Sequence, residues 1–184
     1  LVVAALLAVP AMALGASISV TSGGAAAVDV EPGVPVSLAI EINLADMPAI
    51  GTWDAALGAS KDGFTLSGRT AASTFAGWWN LDFGAYVEPQ AMPTPSLGYM
   101  KPTAGNVDFS GAALTFVLSG PALAADESVE ISLVDPEGSA VFYGPGGGQI
   151  VLFDSKGALT ITALPEPASL LLLGLGGLFL RRRR

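Results

Sequence analysis

The sequence contains no cysteine and no histidine. Without cysteine the chain has no disulfide, no thiolate nucleophile and no cysteine-based metal site. Without histidine it lacks the usual general base and the commonest ligand of transition metals. These absences remove the most familiar catalytic and metal-binding chemistries, and the sequence predicts no cofactor.

Basic residues are also scarce, and half of them stand at the end of the chain. There are 8 lysines and arginines against 16 acidic residues in 184 residues. Residues 1–164 hold 4 basic and 15 acidic residues, a net charge of −11. Such a domain repels phosphate backbones and anionic headgroups, so nucleic-acid binding is not expected. The length suits one domain with a sizeable core.

The last part of the chain combines three distinct segments. Pro165, Glu166 and Pro167 precede an uncharged, mostly apolar run over residues 168–180, and the chain stops on Arg181, Arg182, Arg183 and Arg184. As a helix the apolar run reaches roughly 20 Å, short of a hydrocarbon core of about 30 Å. Each arginine costs about 2.5–3.5 kcal/mol at the bilayer centre, which keeps the cluster in the cytoplasm. A short membrane helix is predicted here; a buried terminal helix is the alternative.

This order of segments closely resembles the PEP-CTERM sorting signal of Gram-negative bacteria. In that family an integral-membrane processing enzyme, an exosortase, recognises the signal and cuts near the Pro-Glu-Pro motif. The resemblance implies that Pro165, Glu166 and Pro167 are recognition residues and that Arg181 to Arg184 are the topological stop. It also implies an inner-membrane anchor that is transient, followed by release toward the cell surface or an exopolysaccharide matrix.

The start of the chain predicts export as well. Residues 1–10 are apolar and lead into Ala11, Met12 and Ala13, a pattern typical of a signal peptide and its cleavage site. No initiating methionine or basic segment precedes them, so the true start is expected to lie upstream. Cleavage is predicted after Ala13, with Ala16 as the alternative; a buried first strand is the other interpretation. The expected organisation is a signal peptide at 1–13, a passenger domain at 14–164 and a sorting signal at 165–184.

The passenger domain has the pattern of an all-β protein. The clearest strand places Val36, Leu38, Ile40 and Ile42 on one face. Nine or ten such short strands, with no helix before Pro165, predict a two-sheet β-sandwich of jelly-roll or cohesin-like type. Residues 84–102 hold four prolines and are predicted to be a long ordered loop or an irregular edge, and not a regular element. Residues 150–153 and 158–162 are predicted to form a hairpin around 154–157.

The passenger also resembles, more weakly, the cohesin-like and carbohydrate-binding-module-like sandwiches of bacterial surface proteins. The features that carry this resemblance are segments spread over the whole domain: 18–20, 28–43, 50–53, 114–120 and 158–163. They form a pattern and not a signature motif, so no binding residue is transferred from those families.

Two sets of residues are candidates for a site. Trp78 and Trp79 are adjacent, so in a strand one ring faces the core and the other faces outward. The outward ring, with Tyr86 and Tyr99 and the neighbouring Trp53, is a candidate sugar-stacking platform; packing roles for all of them are the alternative. The acidic pairs Asp126/Glu127 and Asp135/Glu137 could bind calcium or solvate turns, and the glycines of 144–148 are read as a flexible turn and not as a phosphate loop.

Together these features predict an exported, non-enzymatic protein. The first hypothesis is a structural or adhesive module that binds another surface protein or packs into an extracellular matrix. The second is a carbohydrate-binding module for exopolysaccharide. A hydrolase using two carboxylates is the third, although no spacing selects a pair among the fifteen acids before the tail.

Overall fold

The computed structural model describes residues 17–43, 51–80, 86–100, 107, 109–134, 141–143, 150–152 and 155–165. This part of the chain contains fourteen strands and one short 3₁₀ helix at Ser73–Phe75. The strands are β1 (Ser17–Thr21), β2 (Ala27–Val30), β3 (Val36–Asn43), β4 (Thr52–Ala59), β5 (Thr65–Ala71), β6 (Trp79–Asn80), β7 (Gln90–Ala91), β8 (Leu97–Met100), β9 (Gly111–Ser119), β10 (Ser128–Val134), β11 (Val141–Tyr143), β12 (Ile150–Leu152), β13 (Ser155–Gly157) and β14 (Leu159–Ala163).

The strands form two sheets. Sheet 1 has the order β13-β1-β3-β9-β5-β7, and sheet 2 has the order β12-β11-β4-β10-β14-β2. In sheet 2, β8 also pairs with β4, and β6 pairs with β8. The backbone of Leu57 in β4 is bonded to Thr94, just ahead of β8, while the same half of β4 pairs with β10. Strand β8 therefore lies on the edge of β4 opposite β10.

The two ends of the described domain run side by side through both sheets. β1 pairs in parallel with β13 in sheet 1, and β2 pairs in parallel with β14 in sheet 2. Each end changes sheets between its two strands, the first around Gly23 and Gly24, both with positive φ, and the second at Ala158. Because β14 is also bonded to β10, the last strand is held on both of its edges.

A single hydrophobic core lies between the sheets. The alternating residues of β3 point into it, and Val36, Leu38, Ile40 and Ile42 are all buried, as the sequence predicts. β9 supplies Leu114, Phe116 and Leu118 from directly opposite positions. Both sheets contribute, because strands β4, β10 and β14 of sheet 2 fill the other side with the buried residues Trp53, Leu57, Val129, Ile131, Leu159 and Ile161. The predicted all-β, two-sheet sandwich is confirmed.

The prediction that residues 84–102 form a long ordered loop or an irregular edge, with no regular element, is wrong for two stretches. Leu97–Met100 is strand β8 of sheet 2, and Gln90–Ala91 is strand β7 of sheet 1. Prolines 93 and 95 precede β8, where the absence of an N–H costs no ladder bond within the strand.

The predicted hairpin over residues 150–162 is also wrong. β12 pairs with β11, and β14 pairs with β10 and β2, so the two strands are not neighbours. The connection between them is β13, which belongs to the other sheet. Glycine at 157 serves a close strand approach and not a hairpin turn: a Cβ there would come within 2.7 Å of the Ser19 Cβ.

Several predictions fall outside the described residues. These are the signal peptide at 1–13, the acidic pair Asp135/Glu137, the glycine run 144–148, and the helix and arginine cluster after Pro165. Within the ranges that the structure does describe, no helix has the length and apolar character needed to cross a membrane.

Candidate functional site

The aromatic residues of the predicted platform lie in different environments. Trp53 is completely buried, and Tyr99 beside it on β8 is only 8% exposed. Both pack on Phe75 of the 3₁₀ helix, at ring-centroid distances of 5.9 and 5.5 Å. Trp78 is partly buried and meets the Phe75 ring edge-on at 5.0 Å. These four rings form one aromatic cluster inside the sandwich.

Trp79 is the ring that faces solvent. Its side chain is 57% exposed, and it pairs with Met100 at the edge of sheet 2. Tyr86 is partly buried against the core, with its ring 6.3 Å from that of Phe116. The predicted residues Trp78, Trp79, Tyr86 and Tyr99 therefore do not share one exposed platform.

Trp79 does belong to a second surface, the outer face of sheet 2. We define this face by Thr52, Asp54, Met100, Val134 and Trp79. Residues directly opposite each other on neighbouring strands share a face, and Met100 stands opposite both Thr52 and Trp79. Val134 stands opposite Ala56 and is 36% exposed.

Two positions in the middle of this face are glycine, and both are buried. A Cβ at Gly98 would lie 2.1 Å from the backbone oxygen of Trp53, and a Cβ at Gly58 would lie 2.6 Å from the Val134 side chain. Asp54 lies between them and accepts a hydrogen bond of 3.0 Å from the Ser96 hydroxyl. The face thus combines one carboxylate, at Asp54, with the larger apolar side chains of Met100, Val134 and Trp79.

Arg69 of β5 in sheet 1 contacts residues of sheet 2, and these contacts were not predicted from the sequence. Its guanidinium carbon lies 5.1 Å from the ring centre of Tyr86 and 5.4 Å from that of Tyr99, and one nitrogen donates to the Asn80 amide oxygen at 3.2 Å. The backbone N–H groups of Arg69 and Gly68 bond the Glu88 carboxylate and lower its pKa. The available signal was that Arg69 is the one arginine before residue 181.

The acidic pair Asp126/Glu127 is part of a tight turn. Glu127 forms an ion pair with Lys61 and accepts a hydrogen bond of 2.7 Å from the Ala124 backbone N–H. The Lys61 bond first, and then the Ala124 bond, lower the pKa of Glu127. Asp126 takes the left-handed conformation with φ of 61°. No group of three metal-ligand side chains is found within the described part of the chain.

The last described residues fix where the tail leaves the domain. Ala163 is fully buried, its N–H donates to Glu127 at 2.9 Å and its carbonyl accepts from Asp126 at 2.9 Å. The N–H of Leu164 donates to the carbonyl of Val30 at 2.8 Å. Pro165 is exposed and follows at once. The Pro-Glu-Pro motif therefore begins directly at the edge of the folded sandwich, while Glu166, Pro167 and the four arginines lie outside the described residues.

Comparison with protein families identifies this terminal segment. Residues 163–184 match the model of the PEP-CTERM protein-sorting motif. A motif of this kind marks an exported protein that is anchored transiently at the membrane through its tail. The match leaves the passenger domain unassigned, and no curated protein matches the sequence.

Solved structures identify the fold of the passenger. The seventh ScaB type I cohesin from Pseudobacteroides cellulosolvens superposes with a TM-score of 0.58 at 14% identity, over 83% of this chain and 94% of the cohesin. The third ScaC cohesin of Acetivibrio cellulolyticus, solved with the ScaB dockerin, gives 0.59 at 13% identity over 81% and 99% of the two chains. The OlpA cohesin of Clostridium thermocellum, solved in a cohesin–dockerin complex, gives 0.59 at 11% identity over 82% and 99%. The chain therefore combines a β-sandwich of the cohesin fold with a PEP-CTERM sorting motif at residues 163–184.

Proposed function

We propose that this protein is an exported, non-catalytic protein-binding module, which acts as a structural or adhesive component of the cell surface or extracellular matrix. The observation that carries the proposal is the cohesin fold, since two of the similar cohesins were solved with a dockerin bound. The sorting motif supports the location, and the lack of histidine and cysteine favours binding over catalysis. An exosortase-type enzyme is the proposed processing partner for the tail.

The outer face of sheet 2 is the surface that best suits a protein partner. It carries Trp79, which is 57% exposed, together with the partly exposed Met100 and Val134. Exposed tryptophans are enriched among the residues that dominate binding energy. Because residues 1–164 carry a net charge of −11, we expect a partner with a neutral or basic surface.

The outer face of sheet 1 is the natural control surface. It presents hydroxyl side chains such as Ser37 and Thr115, and its large exposed apolar residue is Val117. It lacks an exposed aromatic ring among its described residues. A partner that binds an exposed aromatic ring would therefore distinguish the two faces.

Site-specific photo-crosslinking tests this proposal. A photoreactive residue is placed at position 79 or at position 115 in the full chain, in cells that produce the protein. We expect a defined protein adduct from position 79, and the purified adduct partner should bind the native protein but bind Trp79→Ala at least about tenfold more weakly. Equal adducts from both positions, or unchanged affinity of Trp79→Ala, would refute the assignment of this face.

An exopolysaccharide is the second candidate ligand, because the exposed Trp79 ring supplies a surface on which a sugar ring can stack. Glycan-array binding by the purified protein alone, lost in Trp79→Ala, would favour this role over protein binding. The absence of glycan binding, combined with a protein adduct at position 79, would favour the first.

Sorting is tested separately by deleting residues 165–184. We expect the shortened protein to be released without passing through a membrane-bound form, whereas the full chain appears first in the membrane fraction. Pulse-chase labelling followed by cell fractionation measures this. An unchanged distribution between fractions would contradict the proposed route.

A further inference from the structure

The sandwich leaves almost no spacer between itself and the sorting motif. Leu164 is bonded to Val30, and Ala163 is bonded to the turn that holds Asp126 and Glu127, so the chain is fixed up to the residue before Pro165. The three residues 165–167 extend to roughly 10 Å at most. An enzyme that engages Pro-Glu-Pro must therefore come within about that distance of the folded domain.

The surface around this exit point is largely apolar. We define the exit face by Pro32, Gly33, Val34, Pro121, Ala122 and Leu164. Val34 is 49% exposed and Leu164 is 41% exposed, which makes them two of the six large apolar side chains exposed in the described structure. A shallow cleft lies beside them, lined by the apolar residues Val30, Val36, Leu118, Leu123 and Ala163 and by the exposed Glu31.

The turns that form the exit face are held in place by the fold. The N–H of Val34 bonds back to Glu31 at 3.2 Å, and a Cβ at Gly33 would lie 3.8 Å from that of Ala122, so the two turns are in contact. Lys61 and Glu127 next to this surface neutralise each other in an ion pair. The exit face is therefore a pre-formed and mainly apolar surface, with the acidic side chain of Glu31 at its border.

We propose that the exit face docks against the membrane-embedded processing enzyme while the sorting motif occupies the enzyme's active site. The partner is a protein surface and not the lipid, because residues 1–164 carry a net charge of −11 that anionic headgroups repel. The docked contact raises the local concentration of the motif at the enzyme, as a second weak site on a short tether does. The inference rests on the proposed exosortase-type processing and adds a recognition surface outside the motif.

Crosslinking in the full-length protein identifies the occupant. A photoreactive residue replaces Val34, or Val117 as the control, in cells that carry an epitope-tagged processing enzyme. Val117 is a comparably exposed valine, at 37%, on the outer face of sheet 1. We expect an adduct that contains the tagged enzyme from position 34 and none from position 117. Adducts with lipid alone, with a second copy of this chain alone, or with nothing would overturn the proposal.

Processing rates test whether the contact matters. Val34→Asp is expected to slow the loss of the tail by roughly 3- to 10-fold in pulse-chase labelling, because it places a charge in an apolar contact. Val117→Asp should process at the native rate. Inserting a flexible Gly/Ser linker of about ten residues between Leu164 and Pro165 should remove the difference between native protein and Val34→Asp, because it frees the motif from the exit face.

The outcomes separate this inference from the processing on which it rests. Equal rates for native protein and Val34→Asp overturn the docking while leaving processing intact. A Val34→Asp defect that persists with the linker also overturns it, because the substitution then acts on the domain itself. If none of the variants loses its tail and position 34 gives no enzyme adduct, both the processing and the docking fail.

Discussion

Gly157 of β13 lies so close to Ser19 of β1 that a Cβ on residue 157 would come within 2.7 Å of the Ser19 Cβ. The two residues are directly paired in the parallel ladder that joins the first and last described parts of the sandwich. A Cβ is fixed to the backbone and cannot rotate away, so only a shift of one strand relieves the contact. The pairing of β1 with β13 thus depends on the absence of a side chain at residue 157.

Gly157→Ala is therefore expected to destabilise the protein by about 1–3 kcal/mol, the usual cost of overpacking. The matched control is the double variant Ser19→Gly/Gly157→Ala, which removes the opposing Cβ. Chemical denaturation of the single and double variants measures both free energies of unfolding. If the double variant is no more stable than Gly157→Ala, the steric explanation is wrong.

The hydroxyl group of Thr94 accepts a hydrogen bond from β4 in the place of a backbone carbonyl. The N–H of Leu57 donates to the Thr94 Oγ1 at 2.9 Å, and the Thr94 N–H donates to the Leu57 carbonyl at 2.8 Å. Thr94 is only 6% exposed. Thr94→Val keeps the shape but leaves the Leu57 N–H without this acceptor, and should cost about 1–3 kcal/mol.

Thr94→Ser is the control for that prediction, because it retains the acceptor oxygen and loses one methyl group. It should lie closer to the native protein than Thr94→Val does in the free energy of unfolding. A larger loss for the serine variant would show that the methyl packing, and not the hydrogen bond, holds this segment to β4.

The same segment shows where sequence patterns stop being informative. Alternation predicted β3 because its apolar residues occur at every second position and are all buried. β8 escaped prediction because Pro93 and Pro95 precede it, and because Leu97, Gly98 and Tyr99 are all buried, so the strand does not alternate between buried and exposed residues. A strand that is buried on both faces lacks the alternation of apolar and polar residues by which a strand is predicted from sequence.

Long-range pairing was equally hidden from the sequence. The turn residues of 154–157 suit a hairpin, but period two does not say which sheet a strand joins, and β13 crosses to sheet 1. The exposure of the aromatic rings was predictable only in part. Because Trp78 and Trp79 are adjacent in sequence, their rings were expected on opposite faces, whereas the burial of Tyr99 depends on its long-range pairing with Trp53. The terminal motif was readable because its recognition depends on local order and charge, not on tertiary contacts.

The pH dependence of stability should reflect Glu127. Its pKa in the folded protein lies below the ordinary value of 4.5, chiefly through the bond from Lys61. A lowered folded-state pKa contributes stability that is present above the unfolded-state pKa and is lost as the pH falls through the folded-state value. Glu127→Gln should therefore be less stable than the native protein at neutral pH, and the gap should narrow on acidification below about pH 4.5.

Lys61→Met provides the comparison for this effect. It removes the largest cause of the lowered pKa of Glu127 but keeps the hydrogen bond from the Ala124 N–H. The difference in stability between Lys61→Met and the native protein should therefore be smaller than that of Glu127→Gln, and it should also narrow as the pH falls. The pair is near the surface, with side-chain exposures of 36% and 39%, and solvent screening keeps both effects modest. Thermal midpoints from neutral to acid pH measure them; a gap that stays constant would contradict the assignment to Glu127.

The three tryptophans should differ sharply in how much each contributes to the stability of the fold. Trp53 is fully buried, packs on Phe75 and Tyr99, and belongs to the core shared by both sheets. Trp53→Ala should cost about 3–5 kcal/mol, as expected for deleting a large buried ring. Trp79→Ala removes a side chain that is 57% exposed and should change the free energy of unfolding by no more than about 0.5 kcal/mol.

Guanidinium denaturation of both variants, followed by the fluorescence of the remaining tryptophans, measures this difference. Trp78→Ala should fall between them, because its ring is partly buried and meets Phe75 edge-on. A loss above about 2 kcal/mol for Trp79→Ala would mean that its ring supports the fold. In that case weaker partner binding by this variant would no longer identify the outer face of sheet 2, and Val134→Asp would become the decisive variant for that surface.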